Sequence, residues 1–298
     1  MAEPSKISDE IKQEIHDETL PPWKEAWRNF KKNKIAIVGL SIVSFFILVA
    51  IFAPWIAPEG INDQKLPERL QSPSAEYWFG TDDFGRDIFS RVIHGARISL
   101  WVGFLAVVGS AIVGSTLGIV AGYYGRWVDT IISRLFDIML AFPSILLAIA
   151  VVSILGPSLQ NALIAIAIIN VPNFGRLIRS KVLSVKEEEY IMAARAIGMS
   201  DFRILFSHVL PNSMTPIIVQ GSLAVATAII EAAALGFLGL GAQPPQPEWG
   251  AMLSSSREYL IQAPWTMFFP GLAIMLVVLG FNLLGDGLRD ALDPKMKT

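Results

Sequence analysis

The sequence predicts an all-α membrane protein with six transmembrane helices and a long polar loop on the cytoplasmic side. Hydrophobic residues make up 53% of the chain and charged residues 17%, whereas an average soluble domain carries about 25% charge. The charges are segregated, and several uncharged runs reach the ~20 residues that cross a bilayer as a helix. The lipid bilayer is therefore the expected environment, and a net charge of −2 gives no reason to expect a nucleic-acid partner.

The first 34 residues are predicted to form a cytoplasmic tail. Its basic end, residues 23–34, places Trp23, Trp27 and Phe30 at positions i, i+4 and i+7. That spacing is typical of an amphipathic helix lying at a membrane surface, and a plain charged flank explains the same residues equally well. The apolar run that follows is too long for the core of a cleavable signal peptide, so it is predicted to be a retained anchor.

Residues 35–298 are predicted to form one membrane domain. With the N-terminus inside, the inner segments carry 18 of the 24 Lys and Arg residues and the outer segments carry 6. Positive residues gather on the cytoplasmic side of membrane proteins, so both termini are predicted to be cytoplasmic. The six predicted spans are residues 35–57, 98–123, 134–155, 158–178, 213–235 and 266–288.

Two patterns inside the spans predict how they pack. Span two repeats a small residue every fourth position, and small residues at that spacing let helices approach closely in lipid. The members of this stripe are Ala106, Ser110, Gly114, Gly118 and Gly122. Proline is predicted to interrupt spans three, four and five, where neighbours or water must satisfy the freed backbone groups. These prolines are Pro143, Pro172 and Pro216.

Span five contains a carboxylate at membrane depth, which is a functional hypothesis by default. Glu231 shares one polar or small helix face with Gln220, Ala224 and Thr227, at spacings of i, i+4, i+7 and i+11. One interpretation is that this face lines a water-accessible translocation path or the seam with a partner. The other is ordinary helix packing, with Glu231 close enough to the outer interface to reach it.

The polar segment 187–212 lies on the cytoplasmic side in this topology. Tyr190, Ala193, Ala194 and Ile197 fall on one face of a first helix, and they are followed by Gly198. Glycine ends helices because it takes a left-handed conformation at little cost.

A second short helix is expected to follow that glycine. Ser200 or Asp201 is predicted to cap it, and Pro211 ends it or begins span five. The two alanines of the first helix offer a smooth surface on which a partner's cleft can close. An amphipathic linker resting on the membrane is the alternative.

The motif inside this segment carries a family resemblance. The run "AARAIG" (193–198), followed about a dozen residues later by Leu210 and Pro211, resembles the EAA loop of ABC-importer permeases. Tyr190, Arg195, His208 and Asn212 fit the variant found in the peptide and nickel branch. One position departs from the general motif: Met192 stands where the family has Glu. Three further blocks resemble the second permease type of that branch, at residues 79–100, 235–253 and 281–295.

The resemblance implies a role for the loop. In this family the loop forms the coupling helix, which docks into a groove on an ATPase subunit. The residues to which the resemblance assigns ATPase coupling are Glu189, Tyr190, Ala193, Ala194, Arg195, Gly198, Asp201, Leu210 and Pro211. The implied partners are a homologous second permease, two ATPase subunits and an extracytoplasmic substrate-binding protein. The implied location is a bacterial or archaeal cell membrane.

The chain is expected to be a transport subunit and not an enzyme. A P-loop requires the pattern G-x-x-x-x-G-K-[ST], and no Gly-Lys dipeptide occurs in the sequence. ATP and Mg²⁺ are therefore expected to bind to the partner ATPases, with no cofactor or metal bound by this chain. The resemblance implies import of dipeptides or oligopeptides, with nickel or glutathione as alternatives in the same class. A secondary transporter working alone is the alternative from another class.

Overall fold

The computed structural model describes residues 22–292, and this part of the chain confirms the predicted all-α class. It forms eleven numbered helices: α1 (Pro22–Lys32), α2 (Lys34–Ile56), α3 (Ile88–Tyr124), α4 (Arg126–Leu140), α5 (Ser144–Leu155), α6 (Leu159–Val185), α7 (Glu189–Ala196), α8 (Asp201–Ile204), α9 (Met214–Phe237), α10 (Trp249–Ser255) and α11 (Trp265–Leu292). Five of them, α2, α3, α6, α9 and α11, are long and apolar enough to cross a membrane.

The start of the long helices follows from side chains that satisfy their first backbone N–H groups. Asn33 accepts hydrogen bonds from the amides of the second and third residues after it, at 3.0 and 3.2 Å. Asp87 accepts from the amide of Ser90 at 2.8 Å, and Ser158 accepts from the amide of Asn161 at 3.1 Å. Hydropathy alone predicted that span two begins at residue 98. The cap at Asp87 explains why α3 begins earlier, at Ile88.

The third predicted span is not one straight helix. It consists of α4 and α5, which are bent by 94° at a short break that contains Pro143. The other two prolines do not interrupt their helices as predicted. Pro172 lies inside α6, and Pro216 lies in the first turn of α9, where a missing N–H removes no intrahelical hydrogen bond.

Helices α3 and α6 pack with their backbones in close contact, along the stripe of small residues that the sequence indicated. A Cβ atom on Gly114 would lie 2.5 Å from the carbonyl oxygen of Val171, and one on Gly118 would lie 2.4 Å from that of Gly175. A larger side chain at Gly114 or Gly118 would therefore separate the two helices. The pair is one closely joined unit within the membrane domain.

The apolar core joins this pair to the helices from the C-terminal half. Val102 of α3, Ile166 of α6, Ile229 of α9 and Val277 of α11 belong to one buried cluster. Helix α1 packs separately, with Phe30 buried beside Ala36 and Ala291, while Trp27 stays exposed. Residues 1–21 of the predicted tail, residues 293–298 and the side chain of Trp23 lie outside the described part of the chain.

The connections that the topology predicts to be outside form a hydrogen-bonded layer over one end of the helices. Asp82 pairs with Arg86 at 2.6 Å, and both side chains are buried. Glu248, only 2% exposed, accepts from the amides of Gly250 and Ala251 at the start of α10. Burial raises the pKa of the Glu248 carboxyl group, and these N–H donors oppose the rise. This layer ties α10 to the membrane helices.

Candidate functional site

The segment 187–212 folds into two short helices separated by a glycine, as its sequence indicated. Helix α7 ends at Ala196, and Gly198 has a φ angle of +80°. The amide of Gly198 donates to the carbonyl of Arg195 at 2.9 Å, and that of Met199 donates to the carbonyl of Ala194 at 3.1 Å. This pair of bonds is a Schellman motif, so the turn between α7 and α8 depends on a positive φ at one residue.

One side of this loop packs against the membrane helices. Ile191 and Ala194 are buried in a cluster with Ile178 and Val182 of α6 and with Val209 of the loop itself. Because Ala194 is only 6% exposed, it has almost no surface left for another protein. The prediction that Ala194 presents a surface to a partner is therefore revised: it anchors α7 on α6.

The opposite side of the loop presents small and apolar residues to solvent. Met192, Ala193 and Ala196 of α7 are exposed, and Ile197 and Phe202 are 79% and 70% exposed. Apolar side chains grouped on an exposed loop are typical of an interaction surface. Ala196 was not singled out by the sequence, because helical spacing does not show which face of α7 meets α6.

A contact that the sequence did not reveal fixes the loop to the end of α3. The hydroxyl group of Tyr123 donates to Oδ1 of Asp201 at 2.5 Å, and the guanidinium of Arg195 lies 5.1 Å from the centre of the Tyr123 ring. Asp201 therefore holds α3 and was not found to cap α8, since neither Ser200 nor Asp201 makes a capping hydrogen bond. Tyr123 is 78 positions away from Asp201, so no local pattern could have joined them.

The remaining loop residues lie at its edges. Glu189 is exposed in the first turn of α7, and the ring of Tyr190 lies 6.1 Å from that of His208. Leu210 is half-buried and Pro211 is exposed, in one helical turn that follows a π-helical turn at Leu205–Val209. Glu189 and Tyr190 thus belong to the start of α7, whereas Leu210 and Pro211 lie at the other end of the loop.

The second candidate site is a polar cavity in the membrane domain. It has a volume of about 320 Å³ and lies between α6, α9 and the break that joins α4 to α5. Three of the four residues predicted for a path line it, namely Gln220, Thr227 and Glu231. The fourth, Ala224, is buried in the apolar core and does not belong to the lining residues.

A side-chain hydrogen bond holds Glu231 at the cavity wall. The amide of Asn170 donates to Oε2 of Glu231 at 2.9 Å and to the carbonyl of Ile166 at 3.0 Å. Asn170 is itself 7% exposed, so it is fixed by packing on α6. Glu231 therefore links α9 to α6 and faces the cavity. The sequence contained Asn170 beside Pro172 but gave no reason to pair it with Glu231.

Two protein-family models match the chain. Residues 114–298 match the binding-protein-dependent transport system inner membrane component. Residues 21–73 match the N-terminal TM domain of oligopeptide transport permease C.

Relatives of the chain are transport permeases. The dipeptide transport system permease protein DppC of Alkalihalophilus pseudofirmus is 69% identical over 277 residues, covering 93% of this chain and 91% of that protein. The di/tripeptide transport system permease protein DppC of Pseudomonas aeruginosa is 50% identical over 93% of each chain. The glutathione transport system permease protein GsiD of Pectobacterium atrosepticum is 49% identical over 93% of this chain and 92% of that protein.

A solved structure shares the fold. A chain of the MetNI methionine ABC transporter, in an inward-facing conformation, superposes with a TM-score of 0.54 at 19% identity. The match covers 68% of this chain and 97% of that chain. At this level of identity the likeness concerns the arrangement of helices alone.

Proposed function

Because this chain belongs to the binding-protein-dependent transport system inner membrane component family, we propose that it is the permease subunit of an ATP-driven importer for dipeptides or oligopeptides. The main support for this substrate class is the 69% identity with a dipeptide permease over 93% of the chain. Glutathione, itself a tripeptide, is the second candidate, favoured by a relative at 49% identity. Both candidates present amide groups and a free ammonium group to the path.

The chemistry of the cavity supports a peptide as the transported molecule. Its polar lining consists of side-chain amides, hydroxyl groups and one carboxylate, supplied by Asn170, Asn173, Gln220, Ser144, Thr227 and Glu231. These groups are matched donors and acceptors for peptide bonds. Nickel is well suited by imidazole ligands, and no histidine is among the described lining residues, so the lining suits a peptide better than that metal.

The chain would supply half of the translocation path and one coupling helix. Its partners would be a homologous permease, two ATPase subunits that bind ATP and Mg²⁺, and a substrate-binding protein on the outer side. The exposed face of α7 would dock into an ATPase, with Ala193 and Ala196 at its centre. This division of labour would place ATP hydrolysis on separate chains.

The packing suggests how movement at the ATPase would reach the path. The buried side of the loop is joined to α6 by Ile191 and Ala194 and to α3 by the Tyr123–Asp201 hydrogen bond. Since α3 and α6 touch along their glycines, a shift of the loop would move both helices together. Helix α6 carries Asn170 into the cavity wall, so the same movement would displace the Asn170–Glu231 contact and open the path by rigid-body rearrangement.

Both termini are proposed to lie in the cytoplasm of a bacterial or archaeal cell, on the basis of the 18-to-6 distribution of Lys and Arg. Cysteine labelling tests this orientation directly, because the native chain has no cysteine. Ile261→Cys, at an almost fully exposed position, is expected to react with an impermeant reagent applied outside whole cells. Ile197→Cys, expressed without the ATPases, is expected to react only after the membrane is opened. The reverse labelling pattern would show that the orientation is the opposite one, with the loop 187–212 outside and out of reach of the ATPases.

Uptake by a reconstituted importer tests the substrate class. The chain, its partner permease, the two ATPases and their binding protein are assembled in proteoliposomes loaded with ATP. Labelled dipeptide, oligopeptide, glutathione and Ni²⁺ are then offered separately. ATP-dependent accumulation of dipeptide or oligopeptide is the expected result. Accumulation of glutathione alone would select the second candidate, and uptake without ATPases would favour a secondary transporter.

A further inference from the structure

The polar cavity contains one carboxyl group, and no basic side chain stands in the described part of its wall. Among the described residues that line it, Glu231 is the single ionisable group. Around it lie side-chain amides and hydroxyl groups, none of which carries a positive charge. An uncompensated carboxylate in a confined site of low dielectric attracts cations far more strongly than it would in water.

The geometry of Glu231 leaves one oxygen atom available to a ligand. Oε2 accepts the hydrogen bond from Asn170, and Asn170 is fixed in turn by its bond to the carbonyl of Ile166. Within residues 22–292, the structure gives Oε1 no hydrogen-bond partner. The carboxylate is therefore oriented by one oxygen and offers the other to the cavity.

We propose that Glu231 recognises the α-ammonium group of the peptide during its passage through the cavity. This inference rests on the proposed function and assigns a chemical role to one residue of the path. A primary ammonium group has three N–H donors, and its donors can be shared between Oε1 and the neighbouring amide and hydroxyl oxygens. A metal ion is less well served, because no group of three or more His, Cys, Asp or Glu side chains that could hold one occurs among residues 22–292.

The ammonium group has a property that suits an importer of peptides of many sequences. Every peptide with an unmodified N-terminus carries it, whatever its side chains are. A carboxylate that binds this group would favour peptides as a class without selecting among sequences. Specificity for size and side chains would then remain with the binding protein.

The first test measures the charge selectivity of the cavity without any transported peptide. Thr227→Cys places a reporter thiol one helical turn before Glu231, at the i, i+4 distance of about 5–6 Å, in a chain with no other cysteine. The rates of modification by a cationic and an anionic methanethiosulfonate reagent are compared in the assembled importer. We expect the cationic-to-anionic ratio to fall about tenfold or more when Glu231→Gln removes the charge. Glu231→Asp, which keeps the carboxyl group, is expected to leave the ratio unchanged.

The second test asks whether the charge acts on the substrate. Maximal ATP-driven uptake of a dipeptide and of its N-formylated form is measured at concentrations that saturate the binding protein with each. For the unmodified dipeptide, we expect Glu231→Gln to lower uptake about tenfold and Glu231→Asp to retain most of it. For the formylated dipeptide, the two variants should resemble the wild type. The amount of each permease in the membrane is measured alongside.

The outcomes separate this inference from the proposed function. If Glu231→Gln leaves the cationic-to-anionic ratio of modification rates unchanged, recognition of the ammonium group is refuted. It is also refuted if Glu231→Gln lowers uptake of the unmodified and the formylated dipeptide equally. Equal losses in Glu231→Gln and Glu231→Asp for the unmodified dipeptide would refute it as well, because the charge would then not matter. A wild-type importer that takes up no peptide with ATP would refute the proposed function, whereas the reagent ratio would still report the charge of the cavity.

Discussion

Gly198→Val is expected to lower ATP-driven uptake by about 5–30-fold while leaving the permease in the membrane. Gly198 has a φ angle of +80°, and a branched residue held in a left-handed conformation costs roughly 1–2 kcal/mol. Within this chain, a Cβ atom at this position would meet nothing within 4 Å. The cost is therefore one of backbone conformation, and relieving it would redirect the chain between α7 and α8.

Stimulation of ATP hydrolysis by loaded binding protein, measured in proteoliposomes, checks this prediction together with uptake. Gly198→Asn is the matched control, since asparagine tolerates positive φ better than other residues with side chains. The expected order of uptake is glycine, then asparagine, then alanine, then valine. Equal uptake by the valine and asparagine variants would show that the angle of this turn does not matter for coupling.

Ala193→Trp is expected to uncouple ATP hydrolysis from transport without unfolding the loop. Ala193 lies on the exposed face of α7, so a larger side chain has room in the isolated subunit and collides only with a docked partner. Overpacking a close interface costs about 1–3 kcal/mol, which corresponds to a loss of docking affinity of about 5–150-fold. Uptake should fall, and basal ATP hydrolysis should no longer respond to loaded binding protein.

Two other variants in α7 serve as controls for the size and the position of the added side chain. Ala193→Ser keeps the side chain small and should preserve transport. Ala194→Trp places the same large ring in the buried cluster beside Ile178 and Val182, and it should lower the amount of folded permease instead. A cysteine at Ala196 should crosslink to the ATPase in the wild-type background and not with Ala193→Trp. Normal coupling in Ala193→Trp would remove the exposed face of α7 from the docking surface.

The membrane class and the presence of long apolar helices were determined by the sequence, because they depend on local properties. A bilayer requires every backbone hydrogen bond to be made within a helix or a closed barrel, so long apolar runs have few possible structures. The turn at Gly198 was equally local, since a single residue must take a positive φ angle. The glycines of the stripe, Gly114, Gly118 and Gly122, also predicted close packing correctly, because small residues at every fourth position leave a groove along the helix.

The tertiary structure decided which residues face one another. Helical periodicity groups residues on a face but does not say what that face meets, and for this reason Ala194 faces α6 while Ala193 and Ala196 remain outside. Pro143 predicted an interruption between α4 and α5, but the angle of 94° is known only from the structure. The contacts of Tyr123 with Asp201 and of Asn170 with Glu231 join residues 78 and 61 positions apart. Such pairs are formed by the packing of whole helices, and no local pattern in the chain contains them.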